Sequence, residues 1–364
     1  MPRLDAFLKL AHEQGCSDIH LSVGLPPLLR MNGELLPIRF RDLSQSELNS
    51  YLVEILTTAQ KQRFKPGDDL DFAYSAHEVG RFRANYFHKT TGPGATFRYI
   101  PDTIPNMESL GLPPMVKELI QNQQGLILVT GSTGTGKSTT LAAIINYLNT
   151  SRPCNIISLE DPIEFVHRSL QAQVIQREVG THVASFAKGL RSALREDPDV
   201  ILVGELRDRE SIEMAMMAAE TGHLVLGTLH TTSAVKTVDR VLDALPAEQR
   251  EQGKTFLSQN LLGVITQLLV KTADGHHRKA MFETMVRSRA ISKMVMDDRV
   301  HLIHAQIQTG RSQGMVLMDQ SLLEAVRARE IDPDDAYQFA LEKKPFEPYV
   351  TDSSLLPAME GFEE

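Results

Sequence analysis

The sequence predicts a two-domain α/β protein: a mixed α/β first domain, then a second domain built on a mostly parallel central sheet. Three observations carry this. The chain has 364 residues, enough for two separate cores. About a hundred residues in, "PDTIPNMESLGLPP" crowds four prolines together; proline fixes φ and lacks an N–H donor, so this stretch reads as a connector. Beyond it, apolar runs ("LILVT", "NIISL", "VILVG", "HLVLGTL", "ITQLLV") alternate with longer helical patterns. That alternation marks parallel strands joined by crossover helices.

Taken in order, helix signals at 4–14 and 44–64 flank the short strands "IHLSV" and "PLLRMNG". A strand pair follows, "GRFRANYFH" and "GATFRYI", joined by the turn "TTGPG". In its first strand Phe82, Ala84 and Tyr86 share one face, and Arg81, Arg83 and Asn85 the other. The expected divisions are a first domain at 1–101, a Pro-rich linker at 102–114, a second domain with C-terminal helices at 115–344, and a tail at 345–364. The tail carries five acids, three prolines and no lysine or arginine, so it is expected to be flexible. In "HVASFAKGLRSALRED", Val183, Phe186, Leu190 and Ala193/Leu194 line one helical face, with Lys188, Arg191 and Arg195 elsewhere, as in a helix packed on a sheet.

Composition narrows the function classes. With 42% hydrophobic and 23% charged residues the chain is an ordinary globular protein. A net charge of −8 argues against a dedicated nucleic-acid binder, which carries a basic excess. Two cysteines, Cys16 and Cys154, are too few for a disulfide framework or a four-cysteine zinc site, and they fit a reducing compartment. The N-terminal stretch is interrupted by Asp5, Lys9 and Glu13, unlike a signal peptide. No uncharged run approaches the ~20 residues that span a bilayer. A soluble, cytoplasmic protein is expected.

The strongest chemical signal is Gly131-Ser132-Thr133-Gly134-Thr135-Gly136-Lys137-Ser138, followed by Thr139, which satisfies G-x-x-x-x-G-K-[ST]. An apolar strand runs into it and a helical pattern runs out. Glycines let backbone N–H groups converge on phosphate oxygens, and the helix N-terminus adds positive potential. Lys137 is expected to reach the β- and γ-phosphates of ATP and Ser138 to help hold Mg²⁺. Hydrolysis also needs a carboxylate near the metal and one to polarise water. "IISLEDPIEF" offers Glu160, Asp161 and Glu164 at a strand end, and the residues alone leave open which of Glu160 and Glu164 is the base. In "DPDVILVGELRD", Gly204 stands where an aspartate of a Walker B strand is expected, leaving Glu205 as the Mg²⁺-side carboxylate. His223 and His230 are seven residues apart, an odd spacing that points them to opposite faces of an unbroken strand and argues against a shared zinc site. Each is expected near the nucleotide or at an interface, with a plain core role as the competing reading. Arg81, Arg83 and Arg98 suit phosphate clamping, though on the residues alone a solvated face is the reading preferred.

"GSTGTGKSTT", "LEDPIEF", "QREVG", "LRSALREDPDVILVGELRDRESI", "AAETGHLVLGTLHTTSA" and "DRVLDALP" together resemble the motor ATPases of type II secretion and type IV pili. "GCSDIHLSVGLPPLLRMNGEL" adds likeness to the retraction branch, and the resemblance covers roughly residues 1–344. It implies a PAS-like first domain, a RecA-like second domain and a homohexameric ring. It implies that Lys137 and Ser138 belong to the Walker A loop, that Glu164 is the catalytic base, and that Glu205 is the Walker B acid. His223 and His230 become a histidine box at the nucleotide, and Arg83 and Arg98, with Arg81 less so, reach towards nucleotide from the first domain. The implied function is ATP-driven retraction of pili and twitching motility. The ring sits at the cytoplasmic face of the inner membrane, against a platform protein, and a paralogous retraction ATPase is a further partner. The helix written "AIRNLIRE" in retraction motors is here "RAISKMVMDD", keeping Ala290 and Ile291 and diverging through Asp297. That divergence keeps open an accessory retraction ATPase. The same motifs admit an assembly or secretion motor, disfavoured by the missing four-cysteine module, and an ATP-binding ring subunit without turnover. A DNA-stimulated RecA-like enzyme fits the acidic balance poorly.

Overall fold

A computed structural model describes residues 2–31, 34–65, 67–100 and 103–356. It divides into two compact units: residues 1–104 with 162–166, and residues 105–161 with 167–364. The first unit contains α1 (Leu4–Glu13), β1 (Asp18–Ser22), β2 (Leu28–Met31), β3 (Glu34–Pro37), α2 (Gln45–Glu54), α3 (Thr58–Arg63), β4 (Leu70–Ala76), β5 (Gly80–Lys89) and β6 (Gly92–Ile100). Its strands pair antiparallel in the order β3-β2-β1-β6-β5-β4. One sheet face carries Ile19, Leu29, Phe82, Tyr86 and Phe97, buried against Leu4, Leu8, Leu48 and Leu52 of α1 and α2.

The opposite face is polar, as the period-2 alternation of β5 requires. Register sets Arg30 beside Asp18, Asp18 beside Arg98, and Arg98 beside Arg83, a row of charged residues across four strands. The helix expected over 44–64 is two helices. Thr57 accepts from the backbone of Gln60 while the Gln60 side chain accepts from the backbone of Thr57, a capping box that starts α3 afresh. β3 and β4 were not among the expected elements; the β3 positions are all exposed, so no apolar alternation announces that strand.

The second unit contains α4 (Met115–Leu119), β7 (Gly125–Thr130), α5 (Lys137–Ser151), β8 (Asn155–Glu160), β9 (Gln173–Glu178), α6 (Phe186–Ala193), β10 (Val200–Val203), α7 (Arg209–Glu220), β11 (Leu224–Leu229), α8 (Ala234–Asp243), α9 (Arg250–Asn260), β12 (Leu261–Lys271), β13 (Arg278–Val286), α10 (Arg289–Met296), α11 (Ile303–Thr309), α12 (Met318–Arg327) and α13 (Pro333–Phe339). The strand order is β13-β12-β7-β11-β10-β8-β9, parallel except where β13 runs antiparallel to β12. Successive residues of one strand feed opposite cores. Leu126, Leu128, Ile201 and Val203 pack with α6 to α11, while Ile127, Val129, Val200 and Leu202 pack with α4 and α5. This double burial is why these strands read as continuous apolar runs. β9 and β13 escaped that reading because they lie at the two edges of the sheet, and β13 carries the buried carboxyl of Glu283.

Two segments differ from expectation. Met107 and Leu112 of the Pro-rich stretch are buried in the second unit's core. The acidic tail is packed rather than flexible over 345–356. Phe346 is buried beside Leu322 and Tyr337, and Asp334 accepts from the backbone of Thr351 and Asp352. Burial of the aromatic outweighs the tail's disorder-promoting composition; residues 357–364 lie outside the described residues. Among the described residues no helix is long and apolar enough to cross a membrane.

Candidate nucleotide-binding site

β7 ends at Thr130 and the chain turns through 131–136 into α5, so the loop stands at the C-terminal edge of the parallel strands, where open α/β sheets bind ligands. The loop is held from below by β12. A Cβ on Gly131 would lie 2.3 Å from the backbone oxygen of Gln267, so only glycine lets the loop lie against that strand. The Gln267 carboxamide is almost wholly buried; its Nε2 donates to Thr135 O (2.7 Å) and its Oε1 accepts from Thr140 Oγ1 (2.7 Å). Thr130 and Thr266 hydroxyls meet at 2.9 Å one step earlier on the same pair of strands. Sequence reasoning missed Gln267. Nothing within "ITQLLV" marks it except a polar residue inside an apolar run.

Lys137 is buried, and its ammonium donates to Gly131 O (2.7 Å) and Ser132 O (3.0 Å), drawing the loop around itself. Gly136 precedes α5, and no side chain caps that helix. Ser185, Asp208, Ser233 and Ser288 do cap α6, α7, α8 and α10. The first-turn N–H groups of α5 therefore keep their hydrogen-bonding capacity for an anion. Ser132, Thr133, Gly134 and Ser138 are exposed, Thr139 is half-buried, and Thr135 is buried with its hydroxyl donating to Ser132 O (2.9 Å).

Glu205 stands just past β10. Its Oε1 accepts from Arg207 Nε (2.7 Å) and His230 Nε2 (3.0 Å). Burial alone pushes the carboxyl up, but Arg207 and His230 more than offset it and hold Glu205 below the usual carboxylate range, so it is ionised at neutral pH. Because Nε2 faces a carboxylate it carries the proton, leaving Nδ1 to accept from Thr133 Oγ1 at 3.5 Å. The phosphate loop and the Walker B strand are thus joined through one imidazole. Gly204 occupies the aspartate position for a steric reason: a Cβ there would lie 3.1 Å from Leu159 O and 3.3 Å from Glu160 Cα, both backbone atoms of β8.

His223 precedes β11 and His230 follows it, so the strand Leu224–Leu229 separates them, about 20 Å at ~3.3 Å per residue. The His223 ring donates from Nδ1 to Ala218 O (2.9 Å), satisfying the last turn of α7 at the N-terminal end of the strands, away from the phosphate loop. Within one chain, His230 stands beside Glu205 and His223 at the opposite end of β11.

The carboxylates of "LEDPIEF" also separate. Glu160 Oε1 accepts from Ser158 Oγ (2.7 Å) and Gln176 Nε2 (3.0 Å). Glu164 lies in the segment 162–166, which groups with the first unit, and its Oε1 is 3.7 Å from Arg83 Nη1. Arg83 Nε is also 3.7 Å from Asp71, and Arg98 Nε donates to buried Asp18 (2.8 Å) while most of its side chain is exposed. Arg81 lies two residues before Arg83 on the same polar face of β5. The three arginines share that face, with Arg98 directly opposite Arg83.

A doubly wound sheet, a glycine loop entering an uncapped helix, and an ionised strand-end glutamate tied to that loop define a P-loop nucleotide-binding domain. The chain belongs to the type II/IV secretion system protein family, whose profile matches residues 2–342. It is 45% identical to the type IV pilus retraction ATPase PilT of Pseudomonas aeruginosa over 92% of this chain and 96% of that protein. It is 37% identical to the type IV pilus ATPase PilU of the same organism, over 92% and 88%. A crystal structure of the pilus retraction motor PilT with bound ADP superposes with a TM-score of 0.87 at 39% identity, covering 96% of this chain and 99% of that one.

Proposed function

We propose that this chain is an ATP-hydrolysing motor that powers retraction of type IV pili. The observation that carries the proposal is the continuous connection from phosphate loop to Walker B carboxylate, Thr133–His230–Glu205–Arg207, in a chain similar to a retraction ATPase over nearly its whole length. The triphosphate lies along 131–136, with backbone N–H groups of the loop and the first turn of α5 on its oxygens and Lys137 leaving Gly131 O and Ser132 O for the β- and γ-phosphates. Mg²⁺ fits the donors present: the exposed Ser138 hydroxyl and ionised Glu205, acting directly or through water, are the sparse oxygen set this ion takes beside phosphates, and it supplies charge neutralisation on the transferring phosphoryl. No cluster of three or more His, Cys, Asp or Glu side chains suited to a metal occurs among the described residues, in keeping with an ion that relies on the nucleotide for its other ligands.

Glu164 takes a proton from water as its oxygen attacks the γ-phosphorus; the bond from that phosphorus to the β–γ bridging oxygen breaks, and ADP and phosphate leave. Arg83 and Arg98 present positive charge to the nucleotide, and six copies form the ring that works on a membrane platform protein at the cytoplasmic face of the inner membrane. The higher identity to PilT than to PilU favours a principal over an accessory motor. The divergent sequence of α10 still buries Ile291 and Val295 under a Ser288 cap, so the helix survives its substitutions. The test is imaging of labelled pili in cells lacking the gene, beside phosphate release by the purified chain. Long, non-retracting pili and ATP-dependent phosphate release are expected. Loss of pili points instead to an assembly motor, and unchanged retraction to an accessory one.

A further inference from the structure

The motif "QREVG" opens with Gln176, a residue that plays no part in the hydrolysis described so far. Its carboxamide touches both ends of one excursion of the chain. β8 ends at Glu160, the segment 162–166 carrying Glu164 groups with the first unit, and the chain rejoins the second unit at His167. Gln176 Nε2 donates to Glu160 Oε1 at 3.0 Å, on the outgoing side. Gln176 Oε1 accepts from His167 N at 2.8 Å, on the returning side.

We infer that Gln176 is a positioning residue that clamps the base of the Glu164 loop and so fixes where the general base stands.

The connection from β8 to β9 explains why a clamp is needed. A parallel pair requires a long crossover, normally helical. Here residues 161–172 form none of the helices or strands. Asn149 of α5 holds the second half: its Nδ2 donates to Arg168 O (2.7 Å), its Oδ1 accepts from Leu170 N (3.0 Å), and its backbone oxygen accepts from Gln171 N and Ala172 N. The Gln176 carboxamide bonds both ends of the first half.

The chemistry of the side chain is specific. One end of the excursion presents a carboxylate and needs a donor, the other presents an N–H and needs an acceptor, and a carboxamide offers both from one planar group. Glutamate would set a second carboxylate against Glu160, and leucine would bond neither end. Gln176 sits on β9, in register with Ser158 of β8, whose hydroxyl donates to the same Glu160 oxygen. The anchor is therefore built on paired strands, which gives the precision that general-base catalysis requires.

This inference rests on Glu164 being the base, and its test separates the two. Phosphate release against ATP concentration is measured on the full chain for wild type, Gln176→Leu, Glu164→Gln and the double variant, with hydrogen–deuterium exchange on the same preparations. Gln176→Leu is expected to lower kcat by about tenfold to a hundredfold with KM within about twofold, since displacement of a catalytic group by about 1 Å can cost about a hundredfold in rate. Exchange is expected to accelerate over 161–167 while 131–140 keeps its protection. Added to Glu164→Gln, the change is expected to cost no further rate, because both act through one group. Wild-type kcat in Gln176→Leu, losses that multiply in the double variant, or a KM rise accounting for the whole effect overturns the clamp. Wild-type turnover in Glu164→Gln overturns the base, and the clamp as a catalytic device with it. Should Gln176→Leu fail to fold, Gln176→Met carries the same expectations.

Discussion

Gln267 offers the sharpest test of how the phosphate loop is held. Gln267→Leu keeps the volume and deletes both polar contacts, stranding Thr140 Oγ1 and Thr135 O at a site where Thr140 is fully buried. Each stranded buried group costs about 1–3 kcal/mol, about 2–6 kcal/mol for the pair. Leucine recovers part of this, about 1–3 kcal/mol, by sparing the carboxamide its own burial. A net loss of about 2 kcal/mol follows, and it falls on the loop that closes on phosphate. If the loop must be re-ordered on binding, ADP affinity drops by more than tenfold, at 1.4 kcal/mol per decade. Urea unfolding followed by far-ultraviolet circular dichroism measures the first quantity and calorimetric titration with ADP the second. A variant that unfolds at the wild-type midpoint and binds ADP within about twofold of wild type refutes the account of Gln267 as the loop's support.

Three further outcomes are expected. Lys137→Ala and Glu164→Ala each lower phosphate release by about a hundredfold or more, the scale set by losing a charge-stabilising or proton-accepting group, while circular dichroism stays that of the folded chain; rapid turnover by either variant contradicts its assignment. Arg83→Ala and Arg98→Ala reduce turnover although neither residue lies in the phosphate loop, and unchanged kcat and KM in both would make their face merely solvated. His167 is held down to about 4 by burial, and its Nδ1 has no hydrogen-bond partner among the described residues. The unfolded chain (His ≈ 6.5) therefore binds the proton first. Its contribution is present above pH ~6.5 and is lost as pH falls towards ~4, by up to about 3 kcal/mol. Between pH 7 and pH 4, wild type should lose up to about 3 kcal/mol more stability than His167→Gln in urea unfolding; parallel curves would refute the burial.

The motifs were legible because their chemistry is local. A glycine loop between an apolar strand and a helix is a contiguous pattern, and so is a strand running into Glu205. The second unit's central strands were equally legible, since burial on both faces leaves unbroken apolar runs. Edge strands were not. β9 and β13 are the end strands of the sheet and mix polar with apolar residues, so no local period betrays them.

Residue types and their local spacing thus set the class of chemistry: which residues can grip a triphosphate and which carboxylates can serve it. Tertiary structure alone decided their company. It put His230 against Glu205 and sent His223 to the far end of the same strand, two fates that the "GHLVLGTLH" spacing could not separate. It closed Gln267 under the loop across more than a hundred residues of chain, and it laid Gln176 across both ends of the Glu164 segment. Apart from the His223–Ala218 bond, these are hydrogen bonds between groups on different segments, fixed by strand order and register, which no local run of residues spells out.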